Sequence, residues 1–244
     1  MLALLLTVGC ASDTEREESA AKHADRVKIH ADLGAAYLVH NKLDIAQQEL
    51  ERALELNPDD SQANNIMGLL QIRLKNDDKA EQHFRRAIRE QPDNSDARNN
   101  FAVFLCERNR FEDADEQFRA ALKNPLYKSP DQGNVNAGLC RLRAGDKKQA
   151  AAFFRAALQS NPRQATALYQ MARLSFESGE MLSARGFVQR YFEAAKDTPE
   201  ALLLAFRVER ALNAKDAQAK YALRLRGKFP DSAEAKQLRS LTGY

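Results

Sequence analysis

Tryptophan is absent, and glycine and proline are scarce at ten and seven of 244 residues. The residues that remain dominant are alanine, leucine, glutamate, arginine, lysine and glutamine, which lose least on entering a helix. An all-helical protein is therefore expected. No charge of one sign prevails: the net charge is +3, and acids and bases are interspersed along the chain. That mixture is the signature of solvated helix faces rather than of a phosphate-binding surface. At 44% apolar and 29% charged, the composition fits neither a disordered chain nor a membrane bundle. The apolar run at the N-terminus, Met1–Gly9, falls far short of the ~20 residues a spanning helix needs.

Reactive side chains are equally sparse. The histidines are His23, His30, His40 and His83, and none belongs to a cluster with metal-ligand spacing. No glycine-rich phosphate loop occurs. Paired carboxylates such as Asp77–Asp78 fall at a helix start, where acids offset the helix dipole. The expectation is a non-enzyme with no catalytic residue, no metal, no cofactor and no nucleic-acid or small-molecule partner.

What is present is a repeat. Pro58, Pro92, Pro162 and Pro230 are separated by 34, 70 and 68 residues, one or two units of about 34. Proline ends a helix because it lacks the N–H and clashes with the preceding turn. Alignment on these prolines brings small residues into register: Gly34, Gly68, Ala102, Gly138 and Ala172 at the eighth place, and Ala46, Ala80, Ala114, Ala150 and Ala184 at the twentieth. Phe84, Phe118 and Phe154 share the twenty-fourth place, and Ala53, Ala87, Ala121 and Ala157 the twenty-seventh. This is the tetratricopeptide pattern, a helix–turn–helix of 34 residues. Small residues at the eighth and twentieth places let two helices approach, and the aromatic is expected to fill the gap toward the next unit. Asn41, Asn109, Gly145, Gly179 and Asn213 hold the fifteenth place, where the left-handed conformation ends a helix. The second repeat has Lys75 there, with Asn76 one step later.

The expected fold is an all-α superhelical solenoid of six units, at 27–60, 61–94, 95–128, 131–164, 165–198 and 199–232. The last two units are degenerate, as terminal repeats often are. Ala235, Leu238 and Leu241 mark one face of a capping helix over 233–244.

Such an array offers a groove lined by the first helix of each unit, suited to an extended or helical peptide. By resemblance to other tetratricopeptide proteins, the groove positions are Asn65, Leu69, Ile72 and Arg73 in the second unit and Asn99, Val103, Cys106 and Glu107 in the third. Val135, Leu139, Leu142 and Arg143 follow in the fourth, with Tyr169, Arg173, Phe176 and Glu177 in the fifth. The alternative is that the apolar members simply pack against the neighbouring helix. Cys106 and Cys140 lie late in the first helices of adjacent units, which stack side by side. A disulfide needs Cα atoms roughly 4.4–6.8 Å apart, which such neighbours can provide. A Cys106–Cys140 disulfide is expected, the alternative being two buried free thiols.

The stretch MLALLLTVGC, apolar and ending in Gly9–Cys10, resembles a bacterial lipoprotein signal, in which the cysteine becomes the acylated N-terminus. Thr7 stands where leucine is usual; no Lys or Arg precedes the run, and from that missing basic region the true start is expected upstream of Met1, the alternative being a frayed N-terminus with an incidental cysteine. Ala11 in place of Asp implies the outer rather than the inner membrane. Residues 1–9 are thus expected as the end of a signal, and 10–26 as an acylated cysteine with a flexible tether.

The run NNFAVFLCERNRFEDA, the Pro125–Leu126–Tyr127 insertion and the Asn136–Cys140 segment go beyond a generic array. With Ala184–Arg185, Gln189–Arg190–Tyr191, Leu202–Leu203–Leu204, Arg207, Glu209–Arg210 and Phe229–Ser232, they resemble the type IV pilus biogenesis lipoprotein family called PilF or PilW. The resemblance implies an outer-membrane lipoprotein on the periplasmic face of a Gram-negative cell, anchored by a covalent lipid on Cys10. It implies a pilotin, which binds the type IV pilus secretin and promotes its localisation and multimerisation for twitching motility. The alternative is a lipid-anchored scaffold for another envelope machine, such as peptidoglycan synthesis or outer-membrane protein assembly.

Overall fold

The structure, a computed structural model, describes residues 9–242. Residues 1–8, most of the expected signal, and the side chain of Cys10, the expected acylation site, lie outside the described residues. Thirteen α-helices and no strand are found among those described. They are α1 (Gly9–Val39), α2 (Leu43–Leu56), α3 (Ser61–Arg73), α4 (Asp77–Glu90), α5 (Ser95–Glu107), α6 (Phe111–Lys123) and α7 (Pro130–Arg143). There follow α8 (Lys147–Ser160), α9 (Ala165–Glu177), α10 (Met181–Ala194), α11 (Pro199–Ala211), α12 (Lys215–Lys228) and α13 (Ala233–Thr242).

Local chemistry sets these boundaries. The Asp60 carboxylate accepts from Ala63 N at 2.7 Å at the start of α3, and Asn94 Oδ1 from Ala97 N at 2.9 Å before α5. Asp146, Thr198 and Ser232 cap α8, α11 and α13 in the same way. Each cap satisfies an orphan N–H of the first turn and contributes about 1 kcal/mol. Pro130 and Pro199 occupy first-turn positions, where their missing N–H costs nothing.

Between the two helices of each unit, the fifteenth-place residue turns left-handed: Asn41 (φ 57°), Lys75 (61°), Asn109 (61°), Gly145 (84°), Gly179 (82°) and Asn213 (54°). Lys75 itself takes the strained conformation, and Asn76 becomes the N-cap of α4.

The eighth and twenty-fourth places meet within one unit. A Cβ added to Gly68 would lie 2.8 Å from Phe84 Cε1, and one added to Gly138 would lie 2.6 Å from Phe154 Cε1. The aromatic therefore fills the gap left by its own unit's glycine. Phe84 also reaches forward, its ring centroid 5.8 Å from those of both Phe101 and Phe104. The expected packing toward the next unit is thus joined by packing within the aromatic's own unit, and both use the same ring.

The chain divides into two compact units. The first comprises the described residues up to 105 together with 116–127, with α1–α4 and most of α5 and α6. Its core gathers Val27, Ala31, Leu38, Leu50, Ile66, Met67 and Leu70. The second comprises residues 106–115 and 128–244. It holds α7/α8, α9/α10, α11/α12 and the cap α13, around Leu202, Leu204, Phe206, Val208, Leu225 and Leu238. Phe154, Val135 and Met171 form a further cluster joining α7, α8 and α9. Within each unit consecutive helix pairs pack on one another, as in a tetratricopeptide solenoid.

One expectation is overturned. The stretch 10–26, expected as a flexible tether, belongs to α1, which begins at Gly9. Every residue from Glu15 to Arg26 is exposed, so packing does not hold this segment helical. It contains no glycine or proline after Gly9, carries a Glu18–Lys22 pair one turn apart, and continues a helix already nucleated by the core contacts of Val27 and Ala31. His23 Nε2 lies 3.1 Å from the Leu56 carbonyl oxygen, linking it to the end of α2.

Candidate partner-binding site

In the first unit the expected groove residues have divergent fates. Asn65 and Asn99 are buried, at 7% and 8% exposure. Their amides are used internally: Asn100 Nδ2 donates to Asn65 Oδ1 at 3.0 Å, and Asn99 Nδ2 donates to Asn100 Oδ1 at 3.4 Å. As open partner contacts these two positions are corrected, because both are buried and Asn65 is bonded from the neighbouring first helix. Leu69 packs against the core cluster of this unit, while Ile72 and Val103 stay half-buried. Arg73 is exposed, but its Nη2 donates to Asn41 Oδ1 across the repeat boundary.

Arg143 does the same in the second unit, donating from Nε to Asn109 Oδ1 at 3.2 Å and from Nη2 to the Glu107 carbonyl at 3.1 Å. A thirteenth-place arginine thus ties down the fifteenth-place turn of the preceding repeat. The co-occurrence of these residues at repeat spacing was the sequence signal for this clamp.

The second unit presents the more open face. Leu139 is 38% exposed, and Leu142, Tyr169, Arg173 and Phe176 are half-buried. Leu142 leans on the Val135–Met171 cluster, and Phe176 on the cluster around Leu202. Tyr169 opens a run of ring contacts: Tyr191 at 6.1 Å, then Phe192 at 5.4 Å and Tyr221 at 5.5 Å between successive centroids. Burial pushes the Tyr169 hydroxyl above the ordinary tyrosine range, so it is neutral and available as a donor.

The cysteines stand together in this unit. Cys106 and Cys140 have Cα atoms 5.8 Å apart and Sγ atoms 2.15 Å apart, and both are nearly fully buried. Nearby in sequence, Arg141 Nη2 meets Asp115 at 2.8 Å, with both side chains largely shielded.

Several residues singled out in units five and six are structural. Arg185 holds the buried Glu209 carboxylate through two nitrogens, and Arg190 donates to the Pro162 carbonyl at 3.1 Å. Asp197 receives both Arg224 and Lys228, and the Arg224 guanidinium lies 4.7 Å from the Phe192 ring centroid. The hydrogen bonds from these two cations outweigh burial and hold Asp197 below the usual carboxylate range. Sequence reasoning did not find this cluster, because its members are spread over two helices and a loop.

The histidines are also accounted for by packing. His30 Nδ1 lies 2.7 Å from Glu49 Oε2, and His83 Nδ1 lies 2.9 Å from Asn64 Oδ1. Burial, with Arg86 and Lys79 nearby, lowers the His83 pKa. Among the described residues no group of three His, Cys, Asp or Glu side chains is placed to hold a metal ion. No helix among them is long and apolar enough to cross a membrane.

Paired helices at a 34-residue period, a left-handed residue between them and a face of first-helix side chains define a repeat scaffold for protein contact. The tetratricopeptide repeat profile matches residues 31–95 and 105–165, and a second profile of the same family matches 75–126 and 141–205. The chain belongs to the tetratricopeptide repeat family. It is homologous to PilF and PilW, tetratricopeptide proteins of type IV pilus systems. The type IV pilus assembly protein PilF of Pseudomonas aeruginosa is 26% identical over 113 residues, an alignment spanning 46% of this chain and 45% of that relative. The solved structure of Pseudomonas aeruginosa PilF shares the fold with a TM-score of 0.82, over 91% of this chain and 100% of that one, at 24% identity. The crystal structure of PilW, a widely conserved type IV pilus biogenesis factor, aligns with a TM-score of 0.75 at 28% identity, covering 87% of this chain and 97% of that one.

Proposed function

We propose that this protein acts in type IV pilus biogenesis as a pilotin: an outer-membrane lipoprotein that binds the secretin and promotes its localisation and multimerisation. The observation that carries this reading is the similarity to PilW along nearly the whole of both chains, at 28% identity. Tetratricopeptide arrays are interaction modules rather than catalysts, so the task asked of the fold is binding. The Gly9–Cys10 junction supplies a residue for acylation, and several acyl chains anchor firmly because each buried CH₂ contributes about 0.8 kcal/mol. The second-unit face bearing Leu139, Leu142, Tyr169, Arg173 and Phe176 is suited to a segment of the partner. A Cys106–Cys140 disulfide braces the helices that present part of this face, in the oxidising compartment the anchor implies.

Deletion of the gene tests the reading. Heat-resistant secretin multimers and twitching motility are expected to be lost and restored by the wild-type copy. Their survival in the deletion strain refutes the pilotin assignment. Palmitate labelling is expected on the wild type and not on Cys10→Ser; label persisting on that variant removes the lipid anchor.

A further inference from the structure

The first helices of the second unit carry an unbalanced row of charge. Arg173 and Arg207 take the same ninth place in α9 and α11, which pack on one another. Arg207 is half-buried and has no hydrogen-bond or ion-pair partner among the described residues. Arg173 Nε stands 3.7 Å from Glu177 Oε1, too far for a hydrogen bond, and its N–H finds no acceptor. Glu177 is itself held by Lys147 Nζ at 2.7 Å, so its charge is already shared.

Carboxylates also lie on this side of the unit, but at another level. Glu200 and Glu234 act on the Tyr169 hydroxyl, one turn of α9 before Arg173. Leu139 takes the same ninth place in α7, and Leu142 and Phe176 take the twelfth places of α7 and α9; Leu139 is the most open of the three at 38%. Arg207 has no carboxylate, and Arg173 has only a long contact to one shared with Lys147; partly desolvated guanidinium groups so weakly matched favour an anionic partner. Their planar donors fit a carboxylate pair at fixed spacing better than a diffuse anion.

We infer that this face takes an acidic, apolar peptide segment, with its apolar side chains on Leu139, Leu142 and Phe176 and its carboxylates on Arg173 and Arg207. The inference rests on the binding reading given above and names the chemistry of the partner. Basic or uncharged segments are disfavoured, because they cover Arg207 with no carboxylate and Arg173 with only its long contact to Glu177.

The test uses the full chain and two synthetic 16-residue peptides with identical leucine spacing, one with glutamate and one with lysine at the remaining positions. Fluorescence anisotropy is expected to show the glutamate peptide binding about tenfold more tightly, and more weakly as salt rises. Arg173→Glu and Arg207→Glu are each expected to remove most of that preference, with unchanged circular dichroism. Arg155→Glu, at an exposed position on the second helix α8, is expected to leave it intact. Equal binding of the two peptides, binding indifferent to both arginine variants, or binding of neither peptide overturns the inference. Its fate is separable from that of the pilotin reading. Secretin multimers that form without this protein sink the latter, while a glutamate preference lost in both arginine variants still stands.

Discussion

Lys75 offers a sharp test of how the repeat turns are built. It is the one fifteenth-place residue that is neither glycine nor asparagine, yet it holds φ at 61°. For an L-residue with a full side chain, the left-handed region costs roughly 1–2 kcal/mol. The Lys75 side chain is exposed and forms no hydrogen bond or ion pair among the described residues, so little is lost by removing it. Lys75→Gly relieves the backbone strain, while glycine's extra freedom in the unfolded chain returns about 0.4–1 kcal/mol of that gain. Loss of a cation just beyond the C-terminal end of α3 subtracts about 0.3 kcal/mol more at an exposed site. The net expectation is a stabilisation of about 0.5 kcal/mol. Lys75→Asn removes the same cation with less unfolded-state entropy, and is expected to match or exceed it. Urea denaturation followed by circular dichroism reads this out. With a slope near 3 kcal/mol per molar, the midpoint rises by about 0.2 M at constant slope. The mirror variant Gly145→Lys, at φ 84° and with nothing within 4 Å of an added Cβ, is expected to fall by a similar amount or more. A midpoint that falls in both Lys75 variants refutes the reasoning.

Gly138→Ala places a methyl 2.6 Å from the fully buried Phe154. Overpacking of roughly 1–3 kcal/mol exceeds the helix-propensity gain of about 1, so a net loss near 1 kcal/mol is expected, with partial rescue by Phe154→Leu; a more stable single variant speaks against it. Cys106→Ser or Cys140→Ser opens a loop of 34 residues, which in the chain-entropy model costs about 3–4 kcal/mol. Non-reducing peptide mapping of exported protein is expected to recover the linked pair; two free thiols refute the link. Asp197, whose folded pKa is depressed, contributes stability above its unfolded value near 3.9, and that contribution is lost as pH falls from there through the folded pKa. Asp197→Asn is therefore expected to flatten the acid limb of stability against pH, measured as the thermal midpoint between pH 6 and pH 2.5. An unchanged limb removes Asp197 from the account.

The repeat was legible in the sequence because its constraints are local or recur at a fixed spacing. A residue that must turn left-handed, a small residue under a ring and a cap before a first turn each leave a mark at one position. Recurrence at 34 residues then separates the marks from chance. The cysteine pair was legible for the same reason, since the repeat assigns both residues to neighbouring helices. The N-terminal segment misled, because polar composition without apolar periodicity reads as a tether. Helix continuity from Val27 backward decides that segment, and composition alone does not express it.

The candidate binding face was the least legible part. Repeat position identifies which side chains lie on the first helices, but not whether the next helix covers them. Asn65 and Asn99 occupy groove positions by count and are buried by their neighbours, and Arg73 occupies one and ties down Asn41. Units five and six, with weak repeat marks, use contacts that no short period encodes. Arg185 on Glu209, and Asp197 between Arg224 and Lys228, pair residues 24 to 31 apart on different elements. By itself the sequence determined the helices, their pairing and the turn chemistry, because these follow from backbone preferences at single positions. Tertiary structure alone decided which charges are matched and which are left unpaired. Exposure and ion pairing depend on what a neighbouring helix brings within a few ångströms.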